Sequence, residues 1–277
     1  MFWSKILRFF SEDIAMDLGT ANTLLYTRDG GIIVNEPSVV AIDTRNNEVL
    51  AVGSEAKRAR GRTPKRIKTI RPMKSGVIAD FDTTSRMIVY FVNKAIGRSH
   101  LVKPSLVISV PTGITGVEKK AVIDAAATAG AGRVSLIEEP MAAAIGADLP
   151  VTEPVGTLIA DIGGGTSEVA VITMSAITVS QSIRIAGDAM NEILLRMLRD
   201  KYRLDVGENT AEHLKILLGS TQPVPDLPDY AEISGRDLVS GVPMTKKVTS
   251  EDVRLALKEP VEEIASAVMH VLEKTPP

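Results

Sequence analysis

"DIGGGTSEVAVI", residues 161–172, ends an apolar strand in an aspartate, passes through three glycines and a threonine, and resumes a strand-like alternation. A glycine-rich turn between two strands presents backbone N–H groups without an intervening Cβ, so an anionic polyphosphate can approach closely. The aspartate at the strand end offers oxygen ligands of the kind that Mg²⁺ prefers. This stretch therefore predicts a strand–turn–strand unit that binds phosphate and a metal ion.

The same pattern occurs once before in the chain. "AMDLGTANTLLY" again places apolar residues before an aspartate, Asp17, followed by a glycine turn and a second strand. This repetition predicts an internal duplication, with a first lobe at residues 11–150 and a second at 151–277. Two such turns, one from each lobe, would hold a nucleotide between them.

The segments between and after the two turns alternate between strands and helices. "SLVISVPTGIT", residues 105–115, is a nearly continuous apolar run that predicts a strand buried on both faces. A helix from about Val117 to Ala129 and an alanine-rich helix after "IEEP" follow it. Further on, Asp188 and either Asn209 or Thr210 are predicted to cap two helices. The alternation is typical of an α/β architecture.

Composition excludes several kinds of chemistry. The 277 residues contain no cysteine, so neither a disulfide framework nor a thiolate metal site can form. The histidines are widely separated and lack ligand-like spacing. The net charge of −2 is ordinary for a soluble surface. A basic run at residues 57–74 has no aromatic residues to stack bases, so we interpret it as a solvated surface and expect no nucleic-acid partner.

The first ten residues, "MFWSKILRFF", form an amphipathic pattern. On a helical wheel the aromatic and aliphatic side chains fall on one side, whereas Ser4, Lys5 and Arg8 fall on the other. Such a helix lies in a membrane interface with its cations toward anionic headgroups. The pattern favours a membrane-binding segment at residues 1–10, and the alternative is a terminal segment folded onto the protein's own surface.

Neither aspartate turn is a Walker loop or opens a Rossmann helix. Together with "NEPSVVAI", "SVPTGIT" and "IEEPMAAAIGA", the two turns resemble the actin, Hsp70 and sugar-kinase ATPase superfamily, and most closely the MreB family of bacterial actin homologues. The resemblance implies an α/β actin-like ATPase fold, in which two duplicated RNase H-like lobes surround a nucleotide cleft.

The resemblance also implies a finer organisation. Each lobe would carry a smaller subdomain, at about residues 33–75 and 186–248. MreB-like chains continue into a glycine-rich segment that closes over the adenine and ribose, whereas this sequence ends at "LEKTPP". We therefore expect a fold that is truncated at its C-terminus.

The resemblance places ATP and Mg²⁺ on particular residues. The two phosphate loops would consist of Thr20, Ala21, Asn22, Gly163, Gly164 and Gly165. Asp17 and Asp161 would hold Mg²⁺ and its waters.

Four further positions complete the implied site. Glu139 would position or polarise the attacking water with help from Thr166, whereas its neighbour Glu138 is expected to be solvated. Glu212 and Lys215 would lie near the adenosine; their alternative role is an ordinary exposed helical pair.

The function implied by the resemblance is that of a cytoskeletal ATPase. Subunits would polymerise into filaments on the inner face of the cell membrane, and the filaments would guide the cell-wall elongation machinery in rod-shaped bacteria. An Hsp70-like chaperone or a sugar-kinase-like enzyme with the same ATP cleft is the alternative, since this superfamily hosts all three activities. The amphipathic N-terminus favours the cytoskeletal function.

Overall fold

A computed structural model of the chain describes residues 13–60, 63–96 and 103–276. The predicted amphipathic segment at residues 1–10 lies outside the described residues. The chain divides into two compact units, the first ending at Ser182 and the second beginning at Ile183. The predicted lobe boundary near residue 150 stays a prediction. It was placed from the internal duplication, whereas these two units are defined by their compactness.

The first unit contains most of the strands. They are, in chain order, β1 (Asp13–Leu18), β2 (Asn22–Thr27), β3 (Gly31–Pro37), β4 (Val40–Asp43), β5 (Glu48–Val52), β6 (Ile67–Ile70), β7 (Met73–Lys74), β8 (Val77–Ile78), β9 (Ser105–Val110), β10 (Arg133–Glu138), β11 (Thr157–Ile162), β12 (Ser167–Thr173) and β13 (Ala176–Ile183). The helices are α1 (Ser54–Ala59), α2 (Phe81–Ile96), α3 (Gly116–Thr128) and α4 (Glu139–Gly146).

The largest sheet has the strand order β10-β9-β1-β2-β3. β1 and β9 are parallel, and so are β9 and β10. The carboxyl ends of these three strands therefore lie at one edge of the sheet. α2 and α3 pack on the sheet through buried Met87, Phe91 and Val122, which join Leu106 and Ile108 in one hydrophobic cluster. This core holds in place the edge of the sheet at which the predicted site residues lie.

β11, β12 and β13 form a second, antiparallel sheet in the predicted hairpin order. β12 lies in its centre, and every residue from Ser167 to Ile172 is buried. A strand with both faces covered has no alternating polar face. That burial extends to Glu168, the acid in this strand.

The second unit packs helices on a small sheet. Its elements are α5 (Gly187–Tyr202), β14 (Leu204–Asp205), α6 (Glu208–Leu218), β15 (Tyr230–Asp237), β16 (Pro243–Thr249) and α7 (Ser250–Lys274). Leu198 and Leu214 pack with Leu257 in its core. Both Lys201 and Tyr202 donate hydrogen bonds to the carboxylate of Asp252, which ties α5 to α7.

Two local predictions were wrong. The strand predicted at residues 105–115 ends at Val110, because Pro111 has no N–H to donate and Gly113 adopts a φ of 75°. Val107 is 38% exposed, so β9 is not covered along its whole length on both faces.

The predicted helix caps also differ from those observed. α5 begins at Gly187 with Ala186 as N-cap, and Asp188 lies inside the first turn, where a carboxylate complements the helix dipole. α6 has Gly207 as N-cap, so neither Asn209 nor Thr210 occupies that position. Among the described residues, no helix is long and apolar enough to cross a bilayer.

Candidate nucleotide site

The first aspartate turn connects β1 to β2. An added Cβ at Gly19 would lie 2.6 Å from the carbonyl oxygen of Asn22, so the tight turn requires glycine there. The Ser38 hydroxyl donates to the Gly19 carbonyl at 2.6 Å, and the Ser38 N–H donates to the Ala21 carbonyl at 2.9 Å. Thr20 is buried, whereas Asn22 is exposed. Ser38, the residue that follows β3, therefore holds the first turn in place through these two hydrogen bonds.

The second aspartate turn connects β11 to β12 and is closed by a hydrogen bond between two of its own residues. The Gly163 N–H donates to the Thr166 carbonyl at 2.9 Å. Gly163 is exposed, and Thr166 is buried. Both predicted strand–turn–strand units are present, with Asp17 and Asp161 in the last two positions of their strands.

The two turns are in contact with each other. An added Cβ at Gly164 would lie 2.4 Å from the Cβ of Ala21, and one at Gly165 would lie 2.6 Å from the Oγ1 of Thr20. Such separations are far below van der Waals contact, so only glycine permits this approach. The structure thus brings together Thr20, Ala21, Gly164 and Gly165 of the two predicted loops.

A third turn, which sequence analysis missed, contacts both of them. The Gly76 N–H donates to Thr20 Oγ1 at 2.9 Å in a buried hydrogen bond. Gly76 has a φ of 76°, and its added Cβ would lie 3.1 Å from Thr166 Cγ2. The flanking strands β7 and β8 have two residues each, too few for a periodic signal. The adjacent serine and glycine were the one local indication of a turn.

Asp17 and Asp161 form part of a cluster of acids. The Ser109 hydroxyl donates to Asp17 Oδ1 at 2.8 Å. Although Asp17 is open to solvent, the surrounding protein displaces enough water to raise its pKa. Burial, followed by repulsion from Asp17, raises the pKa of Asp161. The two aspartates therefore interact electrostatically.

Glu139 is the most strongly perturbed member of this cluster. It opens α4 directly after β10. Burial, followed by repulsion from Asp17, Glu168 and Asp161, raises its pKa to about 8. Its neighbour Glu138 is exposed. The two adjacent glutamates thus occupy different environments, and the catalytic role that the resemblance implies for Glu139 stays a prediction.

Glu168 is a member of the cluster that sequence analysis did not single out. It is 1% exposed, and it accepts hydrogen bonds from Thr112 and Ser182. Burial raises its pKa, and these hydrogen bonds oppose that effect. The only signal in the sequence was an acid inside an otherwise apolar strand.

Glu212 and Lys215 lie on α6 in the second unit. Both are partly buried, and the Lys215 ammonium donates to the Gly187 carbonyl at 2.8 Å. This bond joins α6 to the start of α5. Contact of either residue with adenosine stays a prediction.

The acids of the first unit suit Mg²⁺ better than a metal that needs a full protein cage. Within the described ranges, no group of three or more histidine, cysteine, aspartate or glutamate side chains has metal-binding geometry. Mg²⁺ is commonly held by one or two carboxylates, with water and phosphate as its other ligands. Asp17 and Asp161 supply oxygen donors of this kind; burial raises the pKa of both, repulsion from Asp17 adds to it at Asp161, and a bound cation would favour their charged forms.

The chain has an actin-like fold, in which the two strand–turn–strand units meet where Gly164 and Gly165 approach Ala21 and Thr20. The MamK double helical filament structure matches with a TM-score of 0.79 at 22% identity, which shows the fold alone. The match covers 96% of this chain and 81% of that one. MreB5 of Spiroplasma citri bound to ADP matches with a TM-score of 0.90 at 34% identity, over 96% of this chain and 80% of that one.

Sequence comparison identifies the family. The model of the MreB/Mbl protein family matches residues 11–277. Cell shape-determining protein Mbl of Bacillus subtilis (strain 168) is 47% identical over 268 residues, or 97% of this chain and 80% of its own length. Cell shape-determining protein MreB of Escherichia coli (strain K12) is 46% identical over 278 residues, which cover 99% of this chain and 80% of that protein. The chain belongs to the MreB/Mbl family.

Proposed function

We propose that the two aspartate turns bind the phosphates of ATP, and that the chain hydrolyses ATP. The contact of Gly164 and Gly165 with Ala21 and Thr20 carries this proposal, because it joins two glycine-rich turns beside a cluster of acids. Backbone N–H groups in such turns attract anions. The related MreB5 structures contain ADP or AMPPNP, which supports a nucleotide as the ligand.

Mg²⁺ would be held by Asp17 and Asp161, with Asn22 and the exposed backbone of Gly163 facing the phosphates. When bound, the ion would neutralise phosphate charge and lower the pKa of the nearby carboxyls. Asp17 keeps its orientation through the hydrogen bond from Ser109. These residues therefore bind and orient the substrate without a covalent step.

Glu139 would orient and polarise the attacking water, with Thr166 beside it. With a pKa of about 8, the Glu139 carboxyl holds its proton at neutral pH when no cation offsets the neighbouring acids. Its carboxylate form, favoured once the neighbouring charges are compensated, accepts a hydrogen bond from water. Positioning of this kind is most of what a protein contributes to phosphoryl transfer.

The test compares AMPPNP binding and ATP hydrolysis in Glu139→Gln, with Glu138→Gln as the matched control on the adjacent exposed position. We expect Glu139→Gln to bind AMPPNP within about threefold of the parent chain and to lose about 100-fold or more in hydrolysis rate. Glu138→Gln should preserve both. Retention of hydrolysis by Glu139→Gln would overturn the assigned role, and absence of nucleotide binding by the parent chain would overturn the site.

In the cell, we propose that the chain is a cell-shape-determining cytoskeletal protein that polymerises with copies of itself. Membership in the MreB/Mbl family and the names of its curated relatives support this function. A head-to-tail interface that does not close into a ring generates an open filament. Such filaments would guide the cell-wall elongation machinery. Electron microscopy of the chain with Mg-ATP tests polymerisation, and a monomer under all nucleotide conditions would contradict it.

We also propose that residues 1–10 attach the filaments to the inner face of the cell membrane. The amphipathic pattern of this segment supports the proposal, because its aromatic side chains and its cations suit a headgroup interface. Co-sedimentation with anionic liposomes should require residues 1–10. A Lys5→Glu, Arg8→Glu variant should pellet less, since it keeps the apolar face and reverses the charge. Equal pelleting of the chain without residues 1–10 would disprove attachment through this segment.

A further inference from the structure

Glu168 is a carboxylate in the interior of the first unit. It is 1% exposed and lies in β12, whose neighbouring residues are also buried. It accepts hydrogen bonds from the Thr112 N–H at 3.2 Å, from the Thr112 hydroxyl, and from the Ser182 hydroxyl at 2.5 Å. Removing a carboxylate from water is costly, and an apolar side chain of similar volume often serves packing as well or better. This cost suggests a role beyond packing.

The Thr112 contact connects Glu168 to the edge of the five-stranded sheet. Thr112 follows β9, which lies between β1 and β10 in that sheet. The carboxyl ends of those two neighbours carry Asp17 and Glu139. Ser109, near the end of β9, also holds Asp17. Glu168 therefore binds the strand end that lies between two predicted site residues.

Its own backbone connects Glu168 to the second aspartate turn. It lies two residues after Thr166, and it is the register partner of Asp161 across β11 and β12. Through Ser182 it is also joined to β13. The carboxylate thus joins the second sheet to the carboxyl edge of the first.

We propose that Glu168 is a positioning residue for ATP hydrolysis: through Thr112 and Ser182 it holds the second turn in register with Asp17 and Glu139. The inference rests on the hydrolysis proposed above. It predicts a loss of turnover with little loss of nucleotide binding, because the backbone of both turns remains while the placement of Thr166 and Asp161 against Glu139 loosens. Small displacements of catalytic groups can cost about 100-fold in rate.

The experiment measures AMPPNP affinity, KM and kcat for ATP, and the unfolding temperature of three variants. Glu168→Gln keeps the shape of the side chain and removes its charge. Thr112→Val removes the hydroxyl donor and leaves Glu168 in place. Ser180→Ala, on the strand that carries Ser182 and at an exposed position, is the matched control.

We expect Glu168→Gln to lower kcat at least 10-fold, with KM and AMPPNP affinity within about threefold. Thr112→Val should lower kcat by a smaller factor, Thr112→Ser should restore it, and Ser180→Ala should match the parent chain. This separation of kcat from KM is not expected of a residue that only stabilises the fold.

Three outcomes would overturn the inference. The first is a kcat within twofold of the parent in Glu168→Gln. The second is a loss of AMPPNP binding in step with kcat, which indicates a structural role. The third is failure of Glu168→Gln to fold together with a normal kcat in Thr112→Val. A parent chain that binds no AMPPNP or hydrolyses no ATP would instead refute the proposed function, and the positioning role would fall with it.

Discussion

The Oγ1 atom of Thr20 lies 2.6 Å from the point where a Cβ at position 165 would stand. Gly165→Ala would therefore force the two turns apart. We expect this substitution to weaken AMPPNP binding at least 10-fold, because the phosphate-facing N–H groups of the turns would no longer converge. Isothermal titration of the variant measures the effect.

Gly146→Ala is the matched control for that substitution. Gly146 ends α4, and an added Cβ there would meet nothing within 4 Å. Binding should equal that of the parent chain, and stability should change by no more than about 1 kcal/mol. Equal binding by Gly165→Ala would show that the contact between the turns is irrelevant to the nucleotide.

The pKa of Glu139 predicts a pH-dependent stability. Its value of about 8 in the folded protein lies above the ordinary 4.5, so the folded state binds more protons than the unfolded state between those pH values. Stability therefore falls as pH rises through this range. Glu139→Gln should remove that loss. At pH 9 the variant should be more stable than the parent by about 2 kcal/mol or more, since one pKa unit corresponds to about 1.4 kcal/mol.

Chemical denaturation at pH 5, 7 and 9 measures this difference. The advantage of Glu139→Gln should be smallest at pH 5, because most of the loss develops between the ordinary pKa of 4.5 and the folded-state value of about 8. Glu138→Gln should stay within about 0.5 kcal/mol of the parent throughout, as expected of an exposed position. A constant difference between Glu139→Gln and the parent across pH would contradict the assignment.

Mg²⁺ should stabilise the nucleotide-free protein less as the pH is lowered. The ion competes with protons for Asp17 and Asp161, whose pKa values are raised. Ligand that binds only the folded state raises the unfolding temperature. Thermal unfolding in MgCl₂, against NaCl of equal ionic strength, measures the effect. Asp161→Asn should reduce it, and equal shifts in both salts would indicate general screening.

Thr115 offers a stability test away from the site. Its hydroxyl accepts from the Glu118 N–H at 3.2 Å, and the Glu118 carboxylate accepts from the Thr115 N–H at 2.8 Å, which forms a capping box at the start of α3. Thr115→Ala should cost about 1 kcal/mol, measured by denaturant titration. Val117→Ala, at an 82% exposed position, should change stability by less than about 0.5 kcal/mol. Equal costs would argue against the cap.

The two aspartate turns were predictable because their determinants are local. Apolar alternation, an aspartate and glycines within a dozen residues specify strand, turn and strand. The role of Glu168 was not predictable in the same way, since its partners Thr112 and Ser182 lie 56 and 14 residues away. A glutamate in an apolar strand does not indicate which donors the fold will bring to it.

Val107 illustrates the converse difficulty. The apolar run around it is compatible with burial on both faces, and only packing of the neighbouring elements determines which side chains remain exposed. The end of β9 was likewise missed because a continuous apolar pattern outweighed Pro111 and Gly113 in the prediction. Periodicity indicates the type of an element better than its boundary.

The parallel pairing of β1 with β9 and of β9 with β10 has a consequence for biosynthesis. β1, β2 and β3 can form hairpins as soon as they leave the ribosome, but β1 must wait for β9 before its other edge is paired. Contacts so distant in sequence form late in folding. The acid cluster is complete only when Glu168 has emerged, so a nascent chain shorter than this carries the first aspartate turn without its counterpart. At the proposed site, nucleotide would therefore stabilise the folding chain only after residue 168 has been translated.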